Sequence, residues 1–172
     1  MTLVIDQLSA NSFGESANSS GWFDGVFYKN RYLFCARGTS GASLVDMLDP
    51  SNTSEADSIQ ISFDAATMPG NYGRSMGAVV IGDMGYINLR RAHGTEPGFG
   101  IIEEFDLTDP ENIVATGNLF DPNESALVAL DPPTTYSYLY SDIATDGTHL
   151  FAAGQRSGLF KFEADNLSQG PV

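Results

Sequence analysis

The 172-residue chain has the length of one ordinary domain, and its 42% hydrophobic content is enough to bury a core and to exclude a disordered chain. Its 22 acidic residues against 8 basic ones leave a net charge of −14, which argues against a general binder of nucleic acid or anionic lipid. The single cysteine excludes an intrachain disulfide, and no apolar run nears the roughly 18 residues of a membrane-spanning helix.

The chain opens with "TLVIDQL", a short apolar run with no basic segment before it, which reads as a strand and not as a signal peptide. "SANSFGESANSSG" then links it to a first group of strands. These are "GVFY", "YLFCA" and "SLVDM", followed past Asp49-Pro50 by "SIQISF". A long link, "DAATMPGNYGRSM", leads to a second group: "AVVI", "GYINL", "GIIEEFDL" and, past Asp109-Pro110, "NIVATGNLF". After "DPNESALVALDPPTTYSYLYS" comes a third group: "DIAT", "HLFAAG" and "GLFKFEA". The runs are short, β-branched and aromatic, and bounded by Gly, Asn, Asp and Ser, which is strand-and-turn chemistry. "ESALVAL" is the best helical pattern and is too short. Cys35 lies in "YLFCA" and is expected as a buried, inert thiol.

The similar runs are headed by Tyr32, Tyr86 and Leu150, and each is followed by a second alternating run and then an Asp-Pro phrase. That phrase is "LVDMLDPSN" in the first copy and "EFDLTDPEN" in the second, and it fades to "ADNLSQGP" in the third. Pro cannot donate to a ladder, and Asp before it can accept from the backbone two residues on, so the phrase is a turn between third and fourth strands. The expected organisation is a single repeat domain over 1–172. It comprises an N-terminal strand and link (1–22) and repeats at 23–64, 75–121 and 139–172.

"RYLFCARGTSGASLVDMLDPSN" resembles the LVIVD repeat, as does "GYINL…GFGIIEEFDLTDPEN"; the third copy matches less closely, with Glu163 in place of the first Asp. The resemblance covers roughly residues 23 to 170. It implies a β-propeller-type fold of four-stranded blades and implies nothing specific about activity. Four-stranded units of this length suggest blades independently of it. The third copy stops short of its fourth strand, while the N-terminal run looks like a fourth strand without a blade. The N-terminal strand is therefore expected to complete the last blade of a neighbouring chain, two chains closing one ring. A segment of a larger propeller and a β-sandwich remain alternatives.

No catalytic constellation stands out. Glu103-Glu104 and the Asp-Pro aspartates are expected as solvated surface or turn caps. "DPSNTSEAD" lacks the Gly and Glu of a calcium loop, and His93 and His149 sit in separate units without a cysteine nearby, so no metal and no cofactor are expected. His149 is expected exposed in a turn.

The few basic residues are more informative. On the propeller reading Arg37, Arg90, Arg91 and Arg156 fall in or beside the turns between second and third strands. His93 shares one of those loops, and Arg74 falls in a link on the same side. Guanidinium forks on one loop face would suit a carboxylate, sulfate or phosphate, so these six residues are the candidate ligand-binding set. The competing expectation is that each Arg steadies its own turn. Trp22, Phe23, Tyr136, Tyr138 and Tyr140 form a second, aromatic candidate for sugars or a protein partner, against a buried stripe.

The expectation for function is a non-enzymatic structural or binding module, a virion component or cell-surface adhesin, that self-associates or joins a larger assembly. The alternative is a glycan-cleaving enzyme, a glycosidase or lyase, with Asp24 and Asp142 as carboxylates at the propeller axis.

Overall fold

The computed structural model describes residues 24–36, 41–49, 54–59, 73–93, 96–120, 140–154 and 158–172. Over them the chain is all-β, in three antiparallel sheets. Sheet 1 takes β1 (Asp24–Tyr28), β2 (Tyr32–Ala36), β3 (Ala42–Asp46) and β4 (Ser54–Ile59) in that order. Sheet 2 takes β5 (Gly73–Ile81), β6 (Met84–His93), β7 (Glu96–Asp106) and β8 (Val114–Phe120), again in chain order. Sheet 3 takes β9 (Tyr140–Thr145), β10 (His149–Gly154) and β11 (Gly158–Glu163). A single 3-10 turn, Leu167–Gln169, follows. Each sheet is therefore a meander of neighbouring strands, which needs only short turns.

The turns are built as their residues dictate. Leu48 N–H and Thr108 N–H donate to the carboxylates of Asp46 and Asp106, and Glu111 N–H donates to Asp109. The repeated acidic phrase is thus a set of side-chain-capped turns, as its chemistry requires. The fourth strand of sheet 1 begins earlier than "SIQISF" suggests: Ser54 and Glu55 already pair with Asp46 and Val45. Residues 60–63 lie outside the described residues, as do the N-terminal strand and link, 1–22.

Register revises the alignment of the repeats. The acidic residue that closes the third strand is Asp46, Asp106 or Glu163, and its cross-strand partners are Tyr32, Met84 and His149. These residues, not Tyr32, Tyr86 and Leu150, hold equivalent places. In the third copy the correction is by one residue, which moves every side chain to the opposite face. On the corrected register Phe34, Tyr86 and Phe151 are equivalent, and so are Leu33, Gly85 and Leu150.

Alternation along the strands then sorts the core into two layers. Tyr28, Phe34, Ala36, Ala42 and Leu44 of sheet 1 pack against Ala78, Ile87, Ile101 and Phe105 of sheet 2. The other face of sheet 2, with Val79, Tyr86, Ile102 and Phe120, packs against Ile143, Leu150, Ala152 and Phe162 of sheet 3. The middle of sheet 2 is buried on both faces, and on β7 neighbouring residues are both covered: Ile101 and Ile102 are 2% and 0% exposed. Phe34 approaches Gly85 so closely that a Cβ there would lie 2.7 Å from its ring, so no larger residue fits at 85 without displacing the ring.

The first strands lie side by side, β5 between β1 and β9. Asp24 makes part of this joint: its Oδ2 accepts from Ala78 N–H at 3.0 Å. Beyond β11 the chain folds back, burying Ala164 and Leu167 in the second layer, and Val172 N–H donates to Lys161 O at 2.8 Å. Cys35 is buried, as expected. Among the described residues no helix is long and apolar enough to cross a membrane.

Candidate functional site

The described candidate arginines, Arg74, Arg90 and Arg91, fall at one end of sheet 2, the end where β6 turns into β7. Arg74 lies on β5 and Arg90, Arg91 and His93 lie on β6. They are strand positions and not loop positions, because β5 starts at Gly73 and β6 runs to His93, beyond the expected limits. Arg74 and Arg90 are direct cross-strand partners, Gly73 faces Arg91, and His93 faces Glu96. Two like charges at such a pair disfavour the sheet unless an opposite charge offsets them. Arg37 and Arg156 follow β2 and β10 in the chain and lie outside the described residues, as do Trp22, Phe23, Tyr136 and Tyr138.

At the opposite end, the turns between first and second strands, cations are matched. Lys29 Nζ lies 3.1 Å from Asp83 Oδ1, and the Tyr28 hydroxyl donates to the same oxygen at 2.7 Å. These two bonds, the hydroxyl's first, hold the Asp83 carboxyl below its ordinary range. Arg31 donates through Nε and a terminal nitrogen to both oxygens of Asp46, which lowers the Asp46 carboxyl likewise. His149 is not a free turn residue. Asp146 accepts from its backbone N–H at 2.7 Å, its Nδ1 lies 2.9 Å from Asp146 Oδ2, and its Nε2 lies 3.6 Å from Glu163. The N–H bonds of His149, backbone first, place the Asp146 carboxyl far below its ordinary range.

A polar group gathers where the first strands meet. Asp24 Oδ1 accepts from Gly25 N–H at 2.8 Å while its Oδ2 accepts from Ala78 N–H. Asp142 Oδ1 accepts from Ile143 N–H at 2.8 Å and would lie 3.1 Å from a Cβ placed on Gly77. Asn88, fully buried, accepts from Gly77 N–H through Oδ1, and its Nδ2 has no hydrogen-bond partner. The Asp24 and Asp142 carboxylates therefore flank the Gly77–Ala78 peptide from opposite neighbours, and both oxygens of Asp24 serve as backbone acceptors. Among the described residues no group of three or more His, Cys, Asp or Glu could hold a metal ion.

Glu103 and Glu104 correct an expectation. They are 2% and 8% exposed and are neither solvated surface nor turn caps. Burial of a carboxylate demands donors, and a bulge supplies them. Pairing of β7 with β8 shifts between Glu103 and Phe105, with Gly117 at φ +83, a left-handed backbone that favours glycine. Thr116 Oγ1 and Asn118 Nδ2 then donate to Glu104 at 2.7 and 3.1 Å, and the Tyr86 hydroxyl donates at 2.6 Å. Burial, then the neighbouring Glu104, pushes the Tyr86 hydroxyl well above the ordinary phenol range. Asn118 also donates to Ala164 O and accepts from Leu167 N–H, both at 2.9 Å, so one amide ties sheet 2 to the tail of sheet 3. Sequence reasoning missed this node; the "TGN" within the fourth strand, a bulge signal, could have found it.

No family model matches the chain, and no curated protein matches it.

Proposed function

We propose that the chain is a non-enzymatic, propeller-type binding and assembly module related to the LVIVD repeat. The observation that carries the reading is the side-by-side placement of β1, β5 and β9 under successive meanders, which is how blades meet at an axis. The charged groups described in the turns between first and second strands and at the Glu104 node hold turns and sheets together, a structural use of charge. The binding face is the end of sheet 2 bearing Arg74, Arg90, Arg91 and His93, with Arg37 and Arg156 following the equivalent strands of the neighbouring sheets. The Arg74–Arg90 register pair supports an anionic ligand there, an acidic glycan or a carboxylate-bearing surface, because an anion removes the repulsion. A virion component or a cell-surface adhesin is the setting that fits.

Glycan and anion arrays probed with the full chain test the binding face. Arg90→Ala with Arg91→Ala abolishes acidic-ligand binding on this reading, and unchanged binding rejects it.

One observation favours a second reading. Asp24 and Asp142 both border Gly77–Ala78, so two exposed carboxylates lie near one another, which supports the paired acid and base of a glycan-cleaving enzyme. Polysaccharide turnover lost in both Asp24→Asn and Asp142→Asn would establish it; its absence from the wild-type chain across acidic and neutral glycans removes it.

A further inference from the structure

Where sheet 2 meets β9, one polar group is left over. Asn88 is fully buried, and its Oδ1 accepts from Gly77 N–H. That bond fixes the amide, because the reverse orientation would set one donor against another. Nδ2 is then buried without an acceptor. Such a donor is costly, and native folds retain few of them without a use.

The local backbone is shaped around this group. Pairing of β5 with β6 shifts between Ser75 and Gly77, a bulge beside the amide. A Cβ on Gly77 would lie 2.9 Å from Asn88 Oδ1 and 3.1 Å from Asp142 Oδ1, so the amide and the carboxylate meet over a bare Cα. Asp142 is exposed, and its Oδ1 takes the N–H of its own neighbour, Ile143. Its Oδ2 has no bond among the described residues.

The missing partner must accept from the Asn88 amide while lying beside a carboxylate. A hydroxyl accepts from the one and donates to the other. A cation cannot accept, and a bare anion is opposed by Asp24 and Asp142, which both border Gly77–Ala78. Two residues further along β6, about 6.6 Å away, stands Arg90, the register partner of Arg74. Strand alternation puts positions 88 and 90 on one face of the sheet. A place for a hydroxyl and a place for an anion thus adjoin, one sugar ring apart.

We infer that the site takes a hexuronic acid residue of a glycan, with its carboxylate at the Arg74–Arg90 pair and a ring hydroxyl between Asn88 Nδ2 and Asp142. The hydroxyl reaches the amide as the exposed Asp142 side chain, anchored through the N–H beside it, turns aside. The inference rests on the anion-binding face above and names its ligand.

Calorimetric titration of the full chain tests it with three probes: a hexuronate oligosaccharide, the same oligosaccharide with its carboxyls reduced to alcohols, and inorganic sulfate. Wild type prefers the hexuronate over each of the others by about tenfold or more. Arg90→Ala weakens hexuronate and sulfate alike. Asp142→Ala and Asn88→Asp, the latter keeping an acceptor for Gly77 N–H, each cut the preference for hexuronate over sulfate by about tenfold. The far-ultraviolet dichroism spectrum stays unchanged, and Asp142, being exposed, gives a folded variant whatever becomes of position 88. A wild-type chain that binds neither anion overturns the inference and the binding face together. Equal affinity for hexuronate and sulfate overturns the inference and leaves the face. A preference that survives Asp142→Ala overturns the placement of the hydroxyl.

Discussion

The two faces of sheet 2 do one task with different chemistry. Toward sheet 1 the joint is mostly apolar, although Glu103 is buried on the same side as Ile87 and Ile101: Phe34 fills the hollow at Gly85, against Leu107, and further polar ties run from Tyr28 to Asp83 and to Leu107 O. Toward sheet 3 the joint holds a buried carboxylate, with Tyr86, Thr116 and Asn118 arranged to satisfy it. The equivalent places are Phe34 and Tyr86, Leu44 and Glu104. One added ring hydroxyl and a carboxylate in place of a leucine therefore convert a hydrophobic contact into a directional one. The apolar joint tolerates small shifts, while the polar one fixes spacing, because each misplaced donor leaves a buried group unpaired.

Substitutions separate the two joints. The largest effect is expected at Phe34→Ala, which empties the Gly85 hollow and costs about 3–5 kcal/mol in denaturant titration. Glu104→Ala follows: it strands the Tyr86 hydroxyl and removes one of the two bonds of the Asn118 amide nitrogen, at about 1–3 kcal/mol for a group left unsatisfied. Glu104→Gln should recover part of that loss, since one carbonyl oxygen still accepts. Asn118→Ala affects the second joint alone. Hydrogen exchange at Leu167, whose N–H donates to Asn118, should speed up while exchange in β2 and β3 stays constant. If β2 and β3 loosen equally, the two joints are one cooperative unit.

Acid should weaken the turn end before the layers. The carboxyls of Asp46, Asp83, Asp106 and Asp146 are all held below the ordinary aspartate value of 3.8, by Arg31, the Tyr28 hydroxyl, Thr108 and the His149 N–H respectively. A folded value below the unfolded one means these carboxylates stabilise the fold above about 3.8, and the contribution is lost as pH falls further. Stability measured against pH should drop below that point, and Asp146→Asn should flatten the drop. The smallest effect belongs to the exposed Arg31–Asp46 pair, where Arg31→Ala should leave the melting temperature unchanged within error.

Strands and turns were legible because their signals are local. The short apolar run "YLFCA", the alternation in "GLFKFEA", and Asp-Pro after the third strand need no tertiary context. The register was less legible: Tyr86 resembles Tyr32 as a residue, yet turn lengths differ, and Met84 takes the place opposite Asp106. The buried fate of Glu103 and Glu104 was hidden because a carboxylate reads as surface until a second sheet covers it. Two of the donors to Glu104, Thr116 and Asn118, lie on β8, brought into reach by the bulge at Gly117, and the third, Tyr86, lies on β6. Of the candidate arginines, the sequence assigned a common end to Arg74, Arg90 and Arg91, and the strand register brings them together, although on strands and not in loops.

The account turns on whether the chain assembles with itself. Equilibrium sedimentation of the unmodified chain across a concentration series tests this most directly. A mass of two chains, dissociating reversibly on dilution, is the expected result; a constant 18.4 kDa at every concentration contradicts it.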